Sequence, residues 1–554
     1  MRPIEAFTEI CRDEGVDRIF GNPGTTELPL LEAVADTGGP PYILGLHEGA
    51  VVAMADGYAR ASRTCPLVNL HVAAGVANGL IGMLNAARSG TPMVITAGQQ
   101  DRRHRRQDPM LSGDLVGMAS TVVKEATEVE HAADLPQVLR RAFAAARRTP
   151  TGPVLVSIPM DLLDSATDVP VPERTPAPIP TAAGGIAAAA AILAAATAPA
   201  LIAGDGIGRE DAVGEFTALA ESLGATVYPQ PMYDRLNIPG THPLCAPMLP
   251  PVAAGIAERL DGHDVVLIVG ARAFRPHHYS PADPIPKTTR VIQLDADPAE
   301  PGRNFPVELA LTGALRPSLR ALVSALDGRV PGARERAATV AAAITADRAR
   351  LHREAEAASG RTPMDPRAAV HAFATALPAD AVIVEEAITA GIHLRGLHRQ
   401  DRPGSYVHTV GGGLGWGIGA AIGTKMGTDR PVAALLGDGC AAFGLQGLWS
   451  AAHHRVPVLF TVMANNEYRT LKDTLDRRDG PARRTGRYPG LDLTEPAIDW
   501  QAAGRAFGVA TARADDETTL ADTVASLGDL DGPLLLEVPV AGHRPPDGPL
   551  ERPR

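Results

Sequence analysis

A chain of 554 residues is too long for one hydrophobic core and predicts three or four domains. Its 45% hydrophobic and 21% charged residues are those of an ordinary globular protein, and a net charge of −11 without a broad basic excess excludes nucleic acid as the main partner. Four cysteines, at 11, 65, 245 and 440, show neither CxxC nor metal-ligand spacing, which predicts a reduced, cytoplasmic setting. The opening Met-Arg-Pro-Ile-Glu-Ala-Phe is an amphipathic helix carrying an acid rather than the apolar core of a signal peptide. The Ala-rich run Ile186–Ala200, broken by Thr197 and Pro199, is too short to span a bilayer and reads as a helix feeding a strand; no membrane partner is expected.

In chain order, strands alternate with helices up to about residue 165: Asp17-Arg-Ile-Phe-Gly, Pro41-Tyr-Ile-Leu-Gly, Leu67-Val-Asn-Leu-His, Pro92-Met-Val-Ile-Thr-Ala-Gly and Val154-Leu-Val-Ser-Ile-Pro. That alternation predicts a mainly parallel sheet with helices on both faces. A proline-dense stretch, Asp168 to Thr181, reads as a linker. A second block has strands at Ala200-Leu-Ile-Ala, Ala225-Thr-Val-Tyr, Asp264-Val-Val-Leu-Ile-Val and Arg290-Val-Ile-Gln-Leu-Asp, and a proline-bearing joint, Arg361-Thr-Pro-Met-Asp-Pro, leads into a third. The closing strands Gly152-Pro-Val-Leu-Val-Ser-Ile-Pro and Gly532-Pro-Leu-Leu-Leu-Glu-Val-Pro are alike, as if two similarly built domains flank a middle one. The expected fold is α/β, three doubly wound parallel-sheet domains over 1–167, 185–330 and 363–554.

The third block carries the most specific motif. Pro431-Val-Ala-Ala-Leu-Leu reads as a buried strand, Ala441 to His453 as a helix, and Pro457-Val-Leu-Phe-Thr-Val-Met as a second strand. Gly437-Asp438-Gly439 and, 27 residues after Asp438, Asn465-Asn466-Glu467-Tyr468 therefore sit at the carboxyl ends of two strands joined by a helix, where open α/β sheets place ligands. A carboxylate and a carboxamide there supply hard oxygen donors for Mg²⁺ or Ca²⁺, and the glycines let a diphosphate approach the backbone.

This pattern resembles the thiamine-diphosphate signature of the pyruvate decarboxylase and acetolactate synthase superfamily, most closely the benzoylformate decarboxylases, and the resemblance covers nearly the whole chain. It implies pyrimidine-binding, central and diphosphate-binding domains in that order. It further implies a metal held by Asp438, Asn465 and the carbonyl of Glu467, with Gly437, Gly439, Cys440, Phe443 and Tyr468 at the diphosphate.

The same resemblance assigns residues elsewhere. Glu48 matches the glutamate that hydrogen-bonds N1′ of the aminopyrimidine, and Asn22, Pro23, Asn78, Thr389 and Gly412 match positions near the cofactor. Leu414 matches the residue that props the cofactor's bend. His71 and His277 match the paired histidines that shuttle protons during decarboxylation, with His278 an equal candidate for the second. Thr25 matches a serine that binds the substrate carboxylate. Met110, Leu111, His408, Thr409 and Leu471 match the substrate pocket, where His408 and Lys472 replace aromatic walls. The basic run Arg102 to Arg106 reads as a solvated loop or subunit contact, or as an anion site.

The expected function is thiamine-diphosphate- and Mg²⁺-dependent decarboxylation of a 2-oxo acid, smaller or more polar than benzoylformate, to an aldehyde. Alternatives are a carboligase of acetolactate synthase type and an inactive, cofactor-binding scaffold. FAD in the middle domain is a less expected second cofactor. The resemblance implies a homodimer or homotetramer with active sites between subunits.

Overall fold

The computed structural model describes residues 1–398 and 400–543. The chain divides into two compact units, one comprising 1–174, 355–394 and 411 onward, the other 175–354 and 395–410. Among the described residues no helix is long and apolar enough to cross a membrane.

The first unit contains two sheets. One joins β1 (Ile19–Gly21), β2 (Tyr42–Leu44), β3 (Leu67–Leu70), β4 (Met93–Gln99), β5 (Glu125–Glu128) and β6 (Pro153–Pro159) in the order β2-β1-β3-β4-β6-β5. The second unit holds β7 (Pro199–Ala203), β8 (Thr226–Pro229), β9 (Val265–Val269), β10 (Arg290–Asp295) and β11 (Leu309–Thr312) in the order β11-β10-β9-β7-β8. A short strand of the same unit, β13 (Tyr406–His408), follows β12 (Val382–Glu386) in the chain. Back in the first unit, β12, β14 (Val432–Gly437), β15 (Val458–Ala464), β16 (Ala510–Arg513) and β17 (Leu534–Pro539) run in the order β12-β14-β15-β17-β16. The order β1-β3-β4-β6-β5 in the opening sheet is thus repeated, as the two like closing strands suggest.

The predicted architecture is the observed one: three parallel-sheet α/β domains. Central strands such as β4, β9 and β15 are buried along their whole length, which is why they read as unbroken apolar runs. One element differs. The helix expected over Ala441–His453 is two helices, Asp438–Phe443 and Gly447–His453. Gly444 separates them because a side chain there would meet the carbonyl oxygen of Gly415 at 2.5 Å.

Within the first unit, the helix Glu48–Ser62 packs on the helix Trp416–Met426 at backbone contact. A Cβ on Gly57 would strike the carbonyl of Ala420, one on Gly423 the carbonyl of Met54, and one on Gly419 would lie 2.7 Å from the carbonyl of Ala50. The crossing is pinned by the Trp416 indole N–H, which donates to Asp56 at 2.7 Å while Arg60 bonds the same carboxylate at 2.9 Å.

In the second unit the chain order 2-1-3-4-5 places a topological switch point between β7 and β9, the usual ligand crevice of such sheets. Here it is filled from within. Gly206 lies so close to Gly270 that a Cβ would come within 2.8 Å of the latter's Cα. Asp205 accepts from Gln230 at 2.6 Å, from the Asn237 amide at 2.9 Å and from the backbone of Asp234 at 3.0 Å. Burial and the neighbouring Asp234 push its carboxyl up to about 7.

Candidate active site

The two polar clusters emerge from adjacent strands, because β14 and β15 pair in parallel with Gly437 opposite Met463. Asp438 opens the helix after β14 and is 4% exposed. Its carboxylate accepts from its neighbour Gly439 N–H at 2.7 Å and from Asn466 N–H at 2.6 Å. Burial raises its carboxyl's affinity for the proton, and its hydrogen-bond partners are backbone amides rather than cations. Asn466 takes a left-handed φ of 55°, which turns the chain so that the Asn465 side-chain oxygen accepts from Glu467 N–H at 3.1 Å. One carboxylate, one carboxamide oxygen and nearby carbonyls form an oxygen-only donor set of the kind Mg²⁺ and Ca²⁺ take, so these residues fit the metal that the motif implies. Gly439 gives way to the ring of Tyr468, whose Cε1 would lie 2.8 Å from a Cβ there. The Thr389 and Thr470 hydroxyls meet at 3.1 Å. Cys440 is buried, whereas Phe443 and Leu471 are exposed.

The loop Gly411–Gly415 is tied to the first domain by Asn85, whose amide donates to the Gly413 carbonyl at 2.9 Å and accepts from Gly413 N–H at 3.0 Å. Leu414 and Phe443 line a small cleft with His47, Gly49 and Ile81, which encloses about 30 Å³, room for one or two waters. Glu386, at the end of β12, accepts from the N–H groups of Trp416 and Gly417 at 3.1 and 2.9 Å, yet burial pushes its carboxyl up to about 8. A carboxyl raised in the folded state adds stability that is full below its usual range near 4.5 and is lost as pH rises through about 8. Glu386→Gln keeps the shape and an oxygen for one of the two amides, and removes the titration. Urea unfolding from pH 5 to 8 should therefore show wild type losing up to about 1.4 kcal/mol per pH unit relative to the variant; parallel pH profiles would refute this.

Glu48 is the first residue of its helix, 8% exposed. Its carboxylate accepts from the Asn78 amide at 3.0 Å, and the absent side chain of Gly75 leaves it room, a Cβ there lying 3.2 Å from Oε1. His47 caps the helix by accepting from Gly49 N–H at 3.0 Å. His71 follows β3, and its Nδ1 lies 2.8 Å from Glu27 and 3.2 Å from the Thr26 hydroxyl. Glu27 is 2% exposed and also accepts from Thr26 Oγ1 at 2.6 Å, Gly24 N–H at 2.9 Å and Gly98 N–H at 3.0 Å. The loop Asn22-Pro23-Gly24-Thr25 thus carries an exposed Thr25, while Thr26 and Glu27 turn inward to the histidine. Glu27 and Asn85 were not singled out by sequence reasoning; the only local signal for Glu27 is its place beside Thr25.

Met110 and Leu111 are exposed in the loop before Leu115, and Gly412 is exposed with a φ of 77°. In the second unit, His277 and His278 are exposed neighbours, Nδ1 to Nε2 3.1 Å. His408 and Thr409 are buried there, His408 bonding Arg395 at 3.3 Å and donating its backbone N–H to Asp234 at 2.9 Å. Lys472, expected to replace an aromatic wall of the pocket, is buried and ion-paired with Glu467 and Asp492, which raise its ammonium's pKa against the effect of burial. The basic run is largely self-neutralised: Arg102 pairs with Asp161, Arg103 with Asp101 and Arg105 with Glu128.

Family models for thiamine pyrophosphate enzymes match in order: the N-terminal TPP binding domain over 1–118, the central domain over 186–322 and the C-terminal TPP binding domain over 390–538. The chain belongs to the thiamine pyrophosphate enzyme family. Within that family it is 34% identical to a benzoylformate decarboxylase of Pseudomonas aeruginosa, over 98% of this chain and 99% of the relative. An acetolactate synthase large subunit of Parasynechococcus marenigrum is 28% identical over 97% of this chain and 87% of its own. Among solved structures, the thiamine-diphosphate-dependent 4-hydroxybenzoylformate decarboxylase of Rhodococcus jostii RHA1 superposes with a TM-score of 0.86 at 30% identity, covering 98% of this chain and 100% of that one. Thiamine diphosphate is therefore the family's cofactor, and the first and last domains of this chain are its TPP binding domains.

Proposed function

We propose that this enzyme decarboxylates a 2-oxo acid to an aldehyde without oxidation, using thiamine diphosphate and Mg²⁺ or Ca²⁺. Asp438, Asn465 and the Glu467 carbonyl would hold the metal, and Gly437, Gly439, Cys440, Phe443 and Tyr468 would surround the diphosphate. Asn22, Pro23, Thr389 and Gly412 would lie along the rest of the cofactor. When bound, the cofactor supplies an electron sink for loss of carbon dioxide. Glu48, kept dry and aimed by Asn78, would hold and release a proton at the cofactor's aminopyrimidine N1′. Leu414, fixed through Gly413 and Asn85, would support the bound cofactor with its apolar side chain. Thr25 offers its hydroxyl to the substrate carboxylate.

The observation that carries the decarboxylase reading is the His71–Glu27 pair. A buried carboxylate holding Nδ1 fixes the ring and leaves Nε2 as its proton-handling atom, as a step that protonates carbon after carbon dioxide loss requires. His277 or His278 would supply the second proton carrier. Met110, Leu111, His408, Thr409 and Leu471 would line the substrate pocket, which offers little aromatic surface, so a side chain smaller or more polar than phenyl suits it.

The one-chain cleft at Leu414 is far too small for the cofactor. Ile388, Ile392, Phe443 and Leu471 expose apolar surface. Both support a homodimer or homotetramer with the cofactor bound between subunits. The four unpaired, buried cysteines suit a cytoplasmic setting. The test is a panel of 2-oxo acids with thiamine diphosphate and Mg²⁺, following carbon dioxide and product mass with and without an added aldehyde. Carbon dioxide with the matching aldehyde is expected. A ligated product only when acceptor is added would favour the carboligase, and silence toward every aliphatic, aromatic and acidic member would overturn the decarboxylase.

A further inference from the structure

We infer that Lys472, Glu467 and Asp492 form a clamp that positions the metal-binding turn, making Lys472 a positioning residue for the metal and not part of the substrate pocket wall. This rests on the proposed metal role of Asp438, Asn465 and the Glu467 carbonyl.

The turn 465–468 is tied to Asp438 by the Asn466 N–H and is closed within itself by the Asn465 oxygen. It hangs on the segment 491–493 by two backbone bonds, Tyr468 N–H to Leu491 O and Leu493 N–H to Asn466 O, both 2.8 Å. Between them Glu467 and Asp492 face each other across an antiparallel bridge. Facing residues of such a bridge project to the same side, so two carboxylates are brought together where like charges repel.

Lys472 resolves that conflict. It stands in the first turn of the helix Arg469–Arg477 with only 7% of its side chain exposed, and its ammonium bonds Glu467 Oε2 at 2.5 Å and also Asp492. The other oxygen of Glu467 accepts the backbone N–H of His543. His543 and Tyr488 are themselves fixed by Asp476, at 2.6 and 2.5 Å. Both oxygens of Glu467 are therefore held from outside the turn, and the carbonyl of the same residue is the proposed ligand. With Lys472 removed, a buried carboxylate is left facing another, and the turn relaxes away from the geometry Mg²⁺ demands. Loss of such an outer partner typically weakens metal binding about 10–100-fold.

The test uses Mn²⁺ as the probe, with free ion read by electron paramagnetic resonance at saturating thiamine diphosphate. Lys472→Met should weaken Mn²⁺ binding about 10–100-fold, and Lys472→Arg should recover most of it by supplying a cation to both carboxylates. Lys472→Met with Glu467→Gln, which removes both buried charges, should recover part of it and shows that misfolding is not the cause. The clamp is overturned if Lys472→Met leaves Mn²⁺ affinity intact and instead raises KM for acidic 2-oxo acids, since the ammonium would then face substrate. Wild type that takes up no Mn²⁺ would overturn the metal-site reading and the clamp with it. Wild type that takes up Mn²⁺ while only the variants fall separates the two.

Discussion

Replacing Glu48 by glutamine is expected to lower turnover about 10²–10⁴-fold while leaving the unfolding midpoint within a degree or two of wild type. The amide is the same size, fits the space left by Gly75 and can still accept from Asn78 at the first turn of its helix. What it cannot do is exchange a proton. Because the substitution keeps shape and removes only that capacity, the loss belongs in kcat, with KM and cofactor affinity nearly unchanged. Carbon dioxide evolution measured beside a thermal melt separates the outcomes. Turnover within threefold of wild type would remove Glu48 from the chemistry, and a large drop in melting temperature would make it a structural carboxylate.

The largest expected effect on stability comes from a single methyl group. Gly423→Ala places a Cβ against the Met54 carbonyl between the helices Glu48–Ser62 and Trp416–Met426, where the obstacle is backbone and cannot swing aside. The helices must separate, and the expected cost is about 3 kcal/mol or more, at the upper end for an overpacked core. Gly214→Ala is the control. That glycine also lies in a helix, with nothing within 4 Å of a Cβ, so alanine should add about 0.5–1 kcal/mol through the unfolded state. Urea midpoints moving in opposite directions would bear this out. Equal midpoints for Gly423→Ala and wild type would show that the helix pair is looser than its contacts imply. The same displacement would disturb Glu48 and the Gly411–Gly415 loop, so activity should fall with stability.

Much of the fold was legible because the central strands are buried on both faces and read as unbroken apolar runs. The strands that escaped notice lie mostly at sheet edges. Glu125–Glu128 and Ala510–Arg513 have no fully buried residue, and Leu309–Thr312 has one, so their sequences carry no apolar signature. The pair Asp438 and Asn465 was legible because two parallel strands joined by a helix force their ends together at that interval. Partners brought in from afar were not. Glu27 lies 44 positions from His71, and Asn85 lies 328 from Gly413, and no local pattern records which distant group a buried polar side chain will meet. Lys472 shows the same limit from the other side, since its residue type suggested a polar pocket wall until its two carboxylates came into view.

The closed crevice of the central sheet has a consequence for what the protein can become. A dinucleotide settling over β7 and β9 would have to evict Asp205 from its ring of donors and pry apart two glycine turns already at van der Waals distance. The occupants are main chain as much as side chain. Any ligand entering that crevice would have to replace, donor for donor, the three hydrogen bonds that Asp205 now accepts.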